Sequence, residues 1–600
     1  MQALQAYRRA LALDPADAWS AWRVGEERDA ALPTSVAQKA LLATALKDDG
    51  RLEKAGSLFR VALRSEPENY FARMGLAEVL AATGWYDDAL VLLDSLAVDF
   101  PGDAKVLLTK ARVLGWAKRY DASLTVYADL HSLKPNDPVP LREAARTAFW
   151  GKMPDRAALL YSELENGTYP AQVREAAGLE RTAKMDGFNN YFAKAITIND
   201  ALLAMEPGNQ EALFDRAQAS CALGMRDNEA ATYRRMLAID PMHTLAGLAM
   251  DRLRWRDAPS VRIGFSFWDE DGKGGRLAQI ARYRWDTELT IPVQERYYLR
   301  AAQHFWLEDP KSPQAAQQGQ SGGESNSDAS TLAAQTLQQR QVQAAVSARR
   351  FEGAYWAEGQ TVGAGGRVNQ WLSGELAFTN KQYSDAGLRP LYSGQARIEL
   401  RPIDAATLSL FYQRTDEITN DMSLAQGIQI DNWGGVVRVQ PLRRIDLSFQ
   451  GRYLNYSDGN QGTALRADAG IVLTDHPHEL KLTATGEYRD TRETNKYIYQ
   501  DDTLVTIVHP YWTPQDYSSG ALTLGWRHDL GKDFFCGARQ HYYGVQVSHG
   551  SDTTKNPFWR LEIEYVNDLT DRWSVSLKGL VQRSPQWDAT GAWTGLTYRF

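Results

Sequence analysis

The sequence predicts an α + β multidomain protein: an N-terminal α-solenoid of stacked helix pairs over 1–255, then a C-terminal 16-stranded antiparallel transmembrane β-barrel over 259–600. Three observations predict it. Prolines recur at Pro67, Pro101 and Pro135, then at Pro207 and Pro241, in 34-residue steps within each set, a period of stacked helix pairs. From about Val261 the apolar pattern turns from helical to alternating, in long segments parted by polar turns. The chain ends Leu596-Thr597-Tyr598-Arg599-Phe600, with apolar or aromatic residues at alternate positions.

The bulk numbers agree. Six hundred residues at 44% hydrophobic content exceed what one compact core uses. Lys+Arg 67 against Asp+Glu 74 gives a net charge of −7, and this near balance gives no electrostatic ground for a nucleic-acid partner. Cys221 and Cys536 stand one in each predicted domain; with no framework of spacings, two unpaired cysteines are expected. No run of about 18 apolar residues marks a spanning helix. The mean hydropathy of −0.44 does not oppose a barrel, whose strands turn only every second residue to lipid.

In the first domain the best unit runs from Val36 to Pro67, with Ala43, Gly50, Ala55, Phe59, Ala62 and Pro67 at the spacing of the tetratricopeptide repeat (TPR). Small residues let the paired helices approach, the glycine turns the chain, Phe59 fills the gap and the proline ends the second helix. Ala77, Gly84 and Ala89 repeat the pattern, as do Ala217, Gly224 and Pro241, while 104–135 and 138–170 match more weakly. Ala3, Tyr7, Ala10 and Pro15 fit the second half of a repeat, so the reading expects an N-terminally incomplete array whose secretory signal lies upstream. Stacked repeats leave a concave face for a partner. Trp19, Trp22, Trp116 and Trp150 are candidates for stacking on a ligand, but aromatics at helical spacing are expected in the core.

In the second domain, Leu480, Leu482, Ala484, Gly486 and Tyr488 alternate with Lys481, Thr483, Thr485, Glu487 and Arg489. One face suits lipid and the other water. The same split recurs about Leu561, Trp573 and Leu522. Segments this long reach across a bilayer when tilted, whereas globular strands average about five or six residues. Tyr297, Tyr298, Trp306, Trp356, Tyr511, Trp512, Tyr542 and Tyr543 are placed in an aromatic girdle at the strand ends. Leu596, Tyr598 and Phe600 read as a barrel-assembly signal.

Sixteen strands are expected, starting near Val261, Leu277, Arg296, Val342, Val368, Leu391, Thr407, Gln429, Ile445, Leu465, Leu480, Ala521, Phe535, Phe558, Trp573 and Ala592. Even-numbered connections are mostly tight and odd-numbered ones include the long stretches Glu308–Arg340 and Asp490–Ser518. Short periplasmic turns and long external loops then put the repeats and the C-terminus in the periplasm. The Gln-, Ser-, Gly- and Ala-rich stretch at about 310–340 reads as an external loop.

No constellation points to an enzyme, and no cofactor or metal site is expected. The segment Trp268–Gly275 lacks the downstream glutamate of a calcium loop, and His476 and His478 flank Pro477 in a predicted turn. What remains is the lumen. Strand parity turns Arg397, Glu399, Arg452, Arg466, Asp468, Lys481, Glu487, Arg489, Arg527, Asp529, Glu562, Glu564 and Lys578 inward, a wall of both signs in a barrel wide enough for an aqueous channel.

TPR units running directly into a terminal barrel, with Tyr511-Trp512-Thr513-Pro514 before a late strand and the Tyr598/Phe600 ending, resemble the exopolysaccharide export porins, the group that includes those of poly-N-acetylglucosamine and cellulose. The resemblance implies a Gram-negative outer-membrane protein that exports a polysaccharide and acts as a single barrel. Its implied partners are the polymer, periplasmic or inner-membrane synthesis proteins held by the TPR groove, membrane lipid and the barrel assembly machinery. The mixed charge of the expected wall departs from the acidic lumen of the poly-N-acetylglucosamine porin, so that substrate does not follow. The alternative is a receptor or adhesin of the phage-adsorption type, with a plugged barrel as anchor.

Overall fold

The computed structural model describes residues 35–600 apart from 242, 274–278, 295, 311–353, 386–387, 389, 501–502 and 532–534. The half repeat at Ala3–Pro15, Trp19, Trp22, residues 311–340 and the strand starts at Leu277 and Val342 lie outside the described residues. Two compact units form: one of described residues up to Asp186 with Thr197–Ala212, the other of Gly187–Ile196 with Leu213–Phe600.

Thirteen helices precede the first strand among the described residues: α1 (Val36–Asp48), α2 (Leu52–Ser65), α3 (Tyr70–Ala82), α4 (Tyr86–Asp99), α5 (Ala104–Trp116), α6 (Tyr120–Leu133) and α7 (Val139–Trp150), then α8 (Pro154–Asn166), α9 (Ala171–Phe188), α10 (Phe192–Met205), α11 (Gln210–Ala222), α12 (Arg226–Ile239) and α13 (Thr244–Arg256). The repeat period shows in the caps. Ser35, Asn69 and Asp103 each accept a backbone N–H of the following helix's first turn, satisfying donors that a helix start leaves open. Gly50 and Gly84 turn the chain inside each pair at φ +79° and +83°, a conformation costly for residues with a Cβ. Phe59 is fully buried among Leu42, Ala55, Ala72 and Met74, and a Cβ on Gly75 would fall inside its ring.

Farther along, apolar packing gives way to a polar core. The Glu180 side chain is 1% exposed and accepts from Arg142 at 2.6 Å, from Arg146, and from the buried Tyr161 hydroxyl at 2.8 Å. Burial alone would raise its pKa, but the two guanidiniums reverse this and hold the carboxyl at about 2. Trp116 and Trp150, expected in the core, are 45% and 42% exposed. The Trp150 indole N–H donates to Glu211 at 3.0 Å, a partner on another helix that alternation in sequence does not reveal.

In the second unit the strands are β1 (Ser260–Gly272), β2 (Gln279–Val293), β3 (Tyr297–Pro310), β4 (Tyr355–Asn369), β5 (Leu372–Tyr383), β6 (Leu391–Ile403), β7 (Ala406–Asp416), β8 (Gln429–Leu442) and β9 (Ile445–Tyr456). They continue as β10 (Gln461–Val472), β11 (His478–Thr491), β12 (Lys496–Gln500), β13 (Thr503–Val508), β14 (Tyr517–Asp529), β15 (His541–Asp552), β16 (Pro557–Asp568), β17 (Trp573–Arg583) and β18 (Trp587–Arg599). Sixteen of them, all but β12 and β13, close into one antiparallel barrel in which β1 pairs with β18 over Ser260↔Arg599 to Gly272↔Trp587. Closure leaves no sheet edge, as a lipid-embedded backbone requires.

Among the starts that lie in described residues, the fifth barrel strand begins at Leu372 rather than Val368 and the thirteenth at His541 rather than Phe535, with Gly537 at φ +84° turning the chain before the latter. The β12–β13 hairpin and a short helix α14 (Asp421–Gln426) occupy connections read as loops.

One face of the barrel is an apolar surface. Ile263, Leu299, Val362, Leu376, Ile398, Leu410, Phe449, Leu522, Val547, Ile563 and Leu577 are all exposed there, a contiguous hydrophobic surface that belongs in lipid. Trp356 and Tyr297 share it. Tyr298, Trp306 and Tyr542 take the opposite face, a correction to the expected girdle that follows from period-2 alternation: of two adjacent aromatics one must turn inward. Tyr511 is another correction. It is fully buried and stacks on Tyr456 with ring centres 4.2 Å apart.

Candidate functional site

The polar face of the barrel is tied together by charge ladders across neighbouring strands. On β10 and β11, Arg466 bonds Asp468 and Glu487, each at 2.9 Å, and the Thr485 hydroxyl donates to Asp468 at 2.7 Å. Arg489 lies 4.0 Å from Glu487 and stacks over Trp512. Lys481 reaches Asp446 at 2.7 Å. On β16 and β17, Lys578 pairs with Glu562 at 2.9 Å, and Glu564 stands opposite Lys578 in register. Arg527 lies over the Tyr542 ring at 3.7 Å, and Asp529 meets His476 at 3.2 Å. Arg397 and Glu399 sit on β6, with the Ser409 hydroxyl 3.5 Å from Glu399. Arg452 stands between Gly434 and Ala464 in register. The sequence-named charges thus form separate clusters on one face rather than one constellation. Leu596 and Tyr598 fall on the other face of β18, where Tyr598 packs against Trp573 at 4.6 Å, and just past the strand the Phe600 N–H donates to the Pro259 carbonyl at 3.0 Å.

The two ends of the barrel differ. Connections β2–β3, β4–β5, β6–β7, β8–β9 and β16–β17 are tight, whereas β3–β4, β7–β8 and β11–β14 are long. At the tight end, helices of the same unit are fastened to several turns. Cys221 at the end of α11 is disulfide-bonded to Cys536 in the β14–β15 connection, with a Cα–Cα distance of 6.0 Å, which corrects the expectation of two unpaired cysteines. The pairing joins residues 315 apart, a separation that leaves no spacing signal in sequence. Around it, the Gln218 side-chain oxygen accepts the Cys536 N–H at 2.5 Å, Arg252 bonds Asp571 at 2.5 Å and Asp568 at 3.2 Å, and Arg296 bonds Asp227 at 2.7 Å. Asp404 of the β6–β7 turn accepts the Ala193 N–H at 2.9 Å.

At the long-loop end the chain folds back into the mouth. Ile418 and Leu424 of the β7–β8 connection pack with Ile280 of β2 and Tyr355 of β4. The Asn420 side chain caps α14 through the Ser423 N–H and donates to the Pro510 carbonyl at 2.9 Å, while Gln426 donates to the Ile507 carbonyl at 3.0 Å. The hairpin loop is therefore laid against the strap that carries α14. Behind it Lys381, 4% exposed, pairs with Asp416 at 2.8 Å and Glu308 at 3.3 Å. Glu417 feels Arg282 and Glu270 from one side of the barrel and Arg489 of β11 from another. Its chain neighbours set it there: Asp416 pairs with the buried Lys381, and Ile418 packs with Ile280 and Tyr355. Burial, with Glu270 and Asp416 alongside, outweighs Arg282 and pushes its pKa up to about 7. His509 clamps the hairpin to Asp458 at 2.6 Å, where the Tyr511 hydroxyl also donates at 2.9 Å. Burial disfavours the charged ring, but Asp458 and Glu493 prevail and raise its pKa. Sequence reasoning missed this assembly. Its one legible signal was the Asn420/Ser423 capping pattern.

Residues 46–113 match the family model of the tetratricopeptide repeat, and the apolar closed barrel stands beside them in the same chain. The chain joins tetratricopeptide repeats to a closed sixteen-strand β-barrel with an apolar outer face. This TPR barrel protein has no match among curated proteins. Among solved structures it is similar to a bacterial polysaccharide outer membrane secretin at 10% identity and TM-score 0.41, over 57% of this chain and 99% of that one. It is also similar to a tetratricopeptide repeat protein from Parabacteroides merdae at 15% identity and TM-score 0.27, over 37% and 86%, and to a thermophilic TPR protein in Thermus thermophilus at 16% identity and TM-score 0.25, over 37% and 99%.

Proposed function

We propose that the protein is a passive outer-membrane conduit through which a polysaccharide leaves the cell, with the TPR helices on the periplasmic side guiding the polymer or docking a synthesis partner. The observation that carries this reading is the closed sixteen-strand barrel, apolar outside and charged on its opposite face, whose tight end bears repeat helices. In this reading the charges from Arg397 to Lys578 line the lumen. Ladders of both signs keep a hydrated wall and offer a sugar chain many weak hydrogen bonds in series, so it is held without being trapped. Inner-membrane synthesis supplies the driving force, and no catalytic step is required of this chain.

The strap and hairpin in the long-loop mouth favour one second reading, a plugged receptor whose external loops bind a phage or cell surface. A deletion strain separates the two. The conduit reading expects polymer stranded in the periplasm and absent from the surface; unchanged surface polymer overturns it and leaves the receptor.

A further inference from the structure

A cavity of about 860 Å³ opens where α12 and the end of α13 meet the tight end of strands β1 to β6. Its barrel wall includes Tyr298, Glu375, Arg397 and Glu399, and its rim carries Trp371 of the β4–β5 turn. Tyr298, Glu375, Arg397 and Glu399 share the polar face of the barrel by register, so the cavity is continuous with that face.

Its charges do not cancel. Three lining arginines are spent on acids of the helical side: Arg226 on Asp257, Arg256 on Glu229 at 2.6 Å and Arg296 on Asp227 at 2.7 Å. Glu375 is taken by Arg300 at 2.9 Å. Arg397, its cross-strand neighbour, is left with no ion pair among the described residues. Arg367 donates to the Leu223 carbonyl, a helix-end acceptor, and lies in the fields of Arg226 and Arg401, with Glu399 opposing them. Once the pairs are removed, Arg367 and Arg397 face Glu399 among the lining charges.

We infer that this cavity is an intake site for acidic saccharides, with the Arg397 guanidinium as the carboxylate receptor and Trp371 as the ring against which a sugar face rests. The inference rests on the conduit reading and names its substrate class: a polymer whose repeat carries a carboxylate. A guanidinium matches a carboxylate through two parallel N–H bonds, an indole covers the apolar face of a pyranose, and the open cavity leaves the chain free to move on.

The test uses the full-length protein in detergent, titrated with galacturonate oligomers, neutral glucose oligomers of equal length and inorganic phosphate, read by calorimetry. The galacturonate oligomer is expected to bind at least tenfold more tightly than the glucose oligomer and than phosphate. Arg397→Gln and Trp371→Ala are each expected to weaken it at least fivefold, with heat-modifiable migration on gels confirming that both variants fold. Equal binding of acidic and neutral oligomers, or an Arg397→Gln variant that binds as before, overturns the site. Phosphate binding as tightly as the oligomer also overturns it, marking instead a general anion or lipid-headgroup site. Channel block separates this from the parent reading: currents blocked equally by neutral oligomers leave the conduit standing and remove the acid preference, while tight galacturonate binding without any current keeps the site and removes the conduit.

Discussion

Breaking the Cys221–Cys536 bond should weaken the hold of the tight end on helices α12 and α13 without loosening the barrel itself. The barrel stays folded, so the loop that the disulfide closes is not the full 315-residue separation. It is the stretch of about forty residues from Cys221 to the start of β1 at Ser260. The chain-entropy relation then assigns the bond about 4 kcal/mol, or roughly a thousandfold in the undocking equilibrium. The contacts that remain, Arg252 to Asp571 and Arg296 to Asp227, still hold the helices most of the time. Hydrogen exchange on the Cys221→Ser/Cys536→Ser protein in detergent reads this directly. Amides of α12 and α13 should lose up to about a thousandfold protection, and barrel amides none. Protection unchanged in α12 and α13, or lost equally in the barrel, would refute the reasoning.

Four further outcomes follow. Glu180→Gln should destabilise the helical unit by about 3 kcal/mol, since it leaves two guanidiniums facing a neutral partner; urea unfolding followed by helical circular dichroism checks this, and a loss below 1 kcal/mol contradicts it. The same carboxyl, held at about 2 against an ordinary 4.5, contributes its full stability above pH 4.5 and loses it as pH falls towards 2, so the difference between wild type and Glu180→Gln should shrink over that window. Gly75→Val should cost about 3 kcal/mol by forcing the Phe59 ring from its pocket, read in the same unfolding assay. At the long-loop mouth, Glu417 at about 7 favours the closed strap fully below pH 4.5 and progressively less up to pH 7, and the raised His509 acts in the same direction, its clamp lost as pH rises. Channel openings should therefore increase from pH 4.5 to 8, and Glu417→Gln should flatten the lower part of that rise.

The fold was legible where one residue type has one physical job. Gly50 and Gly84 are needed at positive φ, prolines end helices, and alternation separates lipid from water, so repeats and sixteen strands could be read from residues alone. Long-range pairings were not legible. Cys221 and Cys536 carry no local pattern, and the bonds from Asn420 to Pro510 and from His509 to Asp458 join loops that are distant in sequence. The exposed Trp150 and the buried Tyr511 exchanged their expected places for the same reason: each is decided by a partner, Glu211 or Tyr456, far along the chain. The candidate wall was named by parity, whereas which of its arginines are left over, such as Arg397, depends on pairings that only the folded register sets.

The measurement closest to the central claim is single-channel conductance of the full-length protein in a planar bilayer, beside a variant whose residues 418–427 are replaced by a short Gly-Ser turn. The wild type should open rarely, and the variant should show large, stable openings that a polysaccharide added to one side blocks. A folded variant that never conducts would contradict the conduit and leave a plugged barrel in its place.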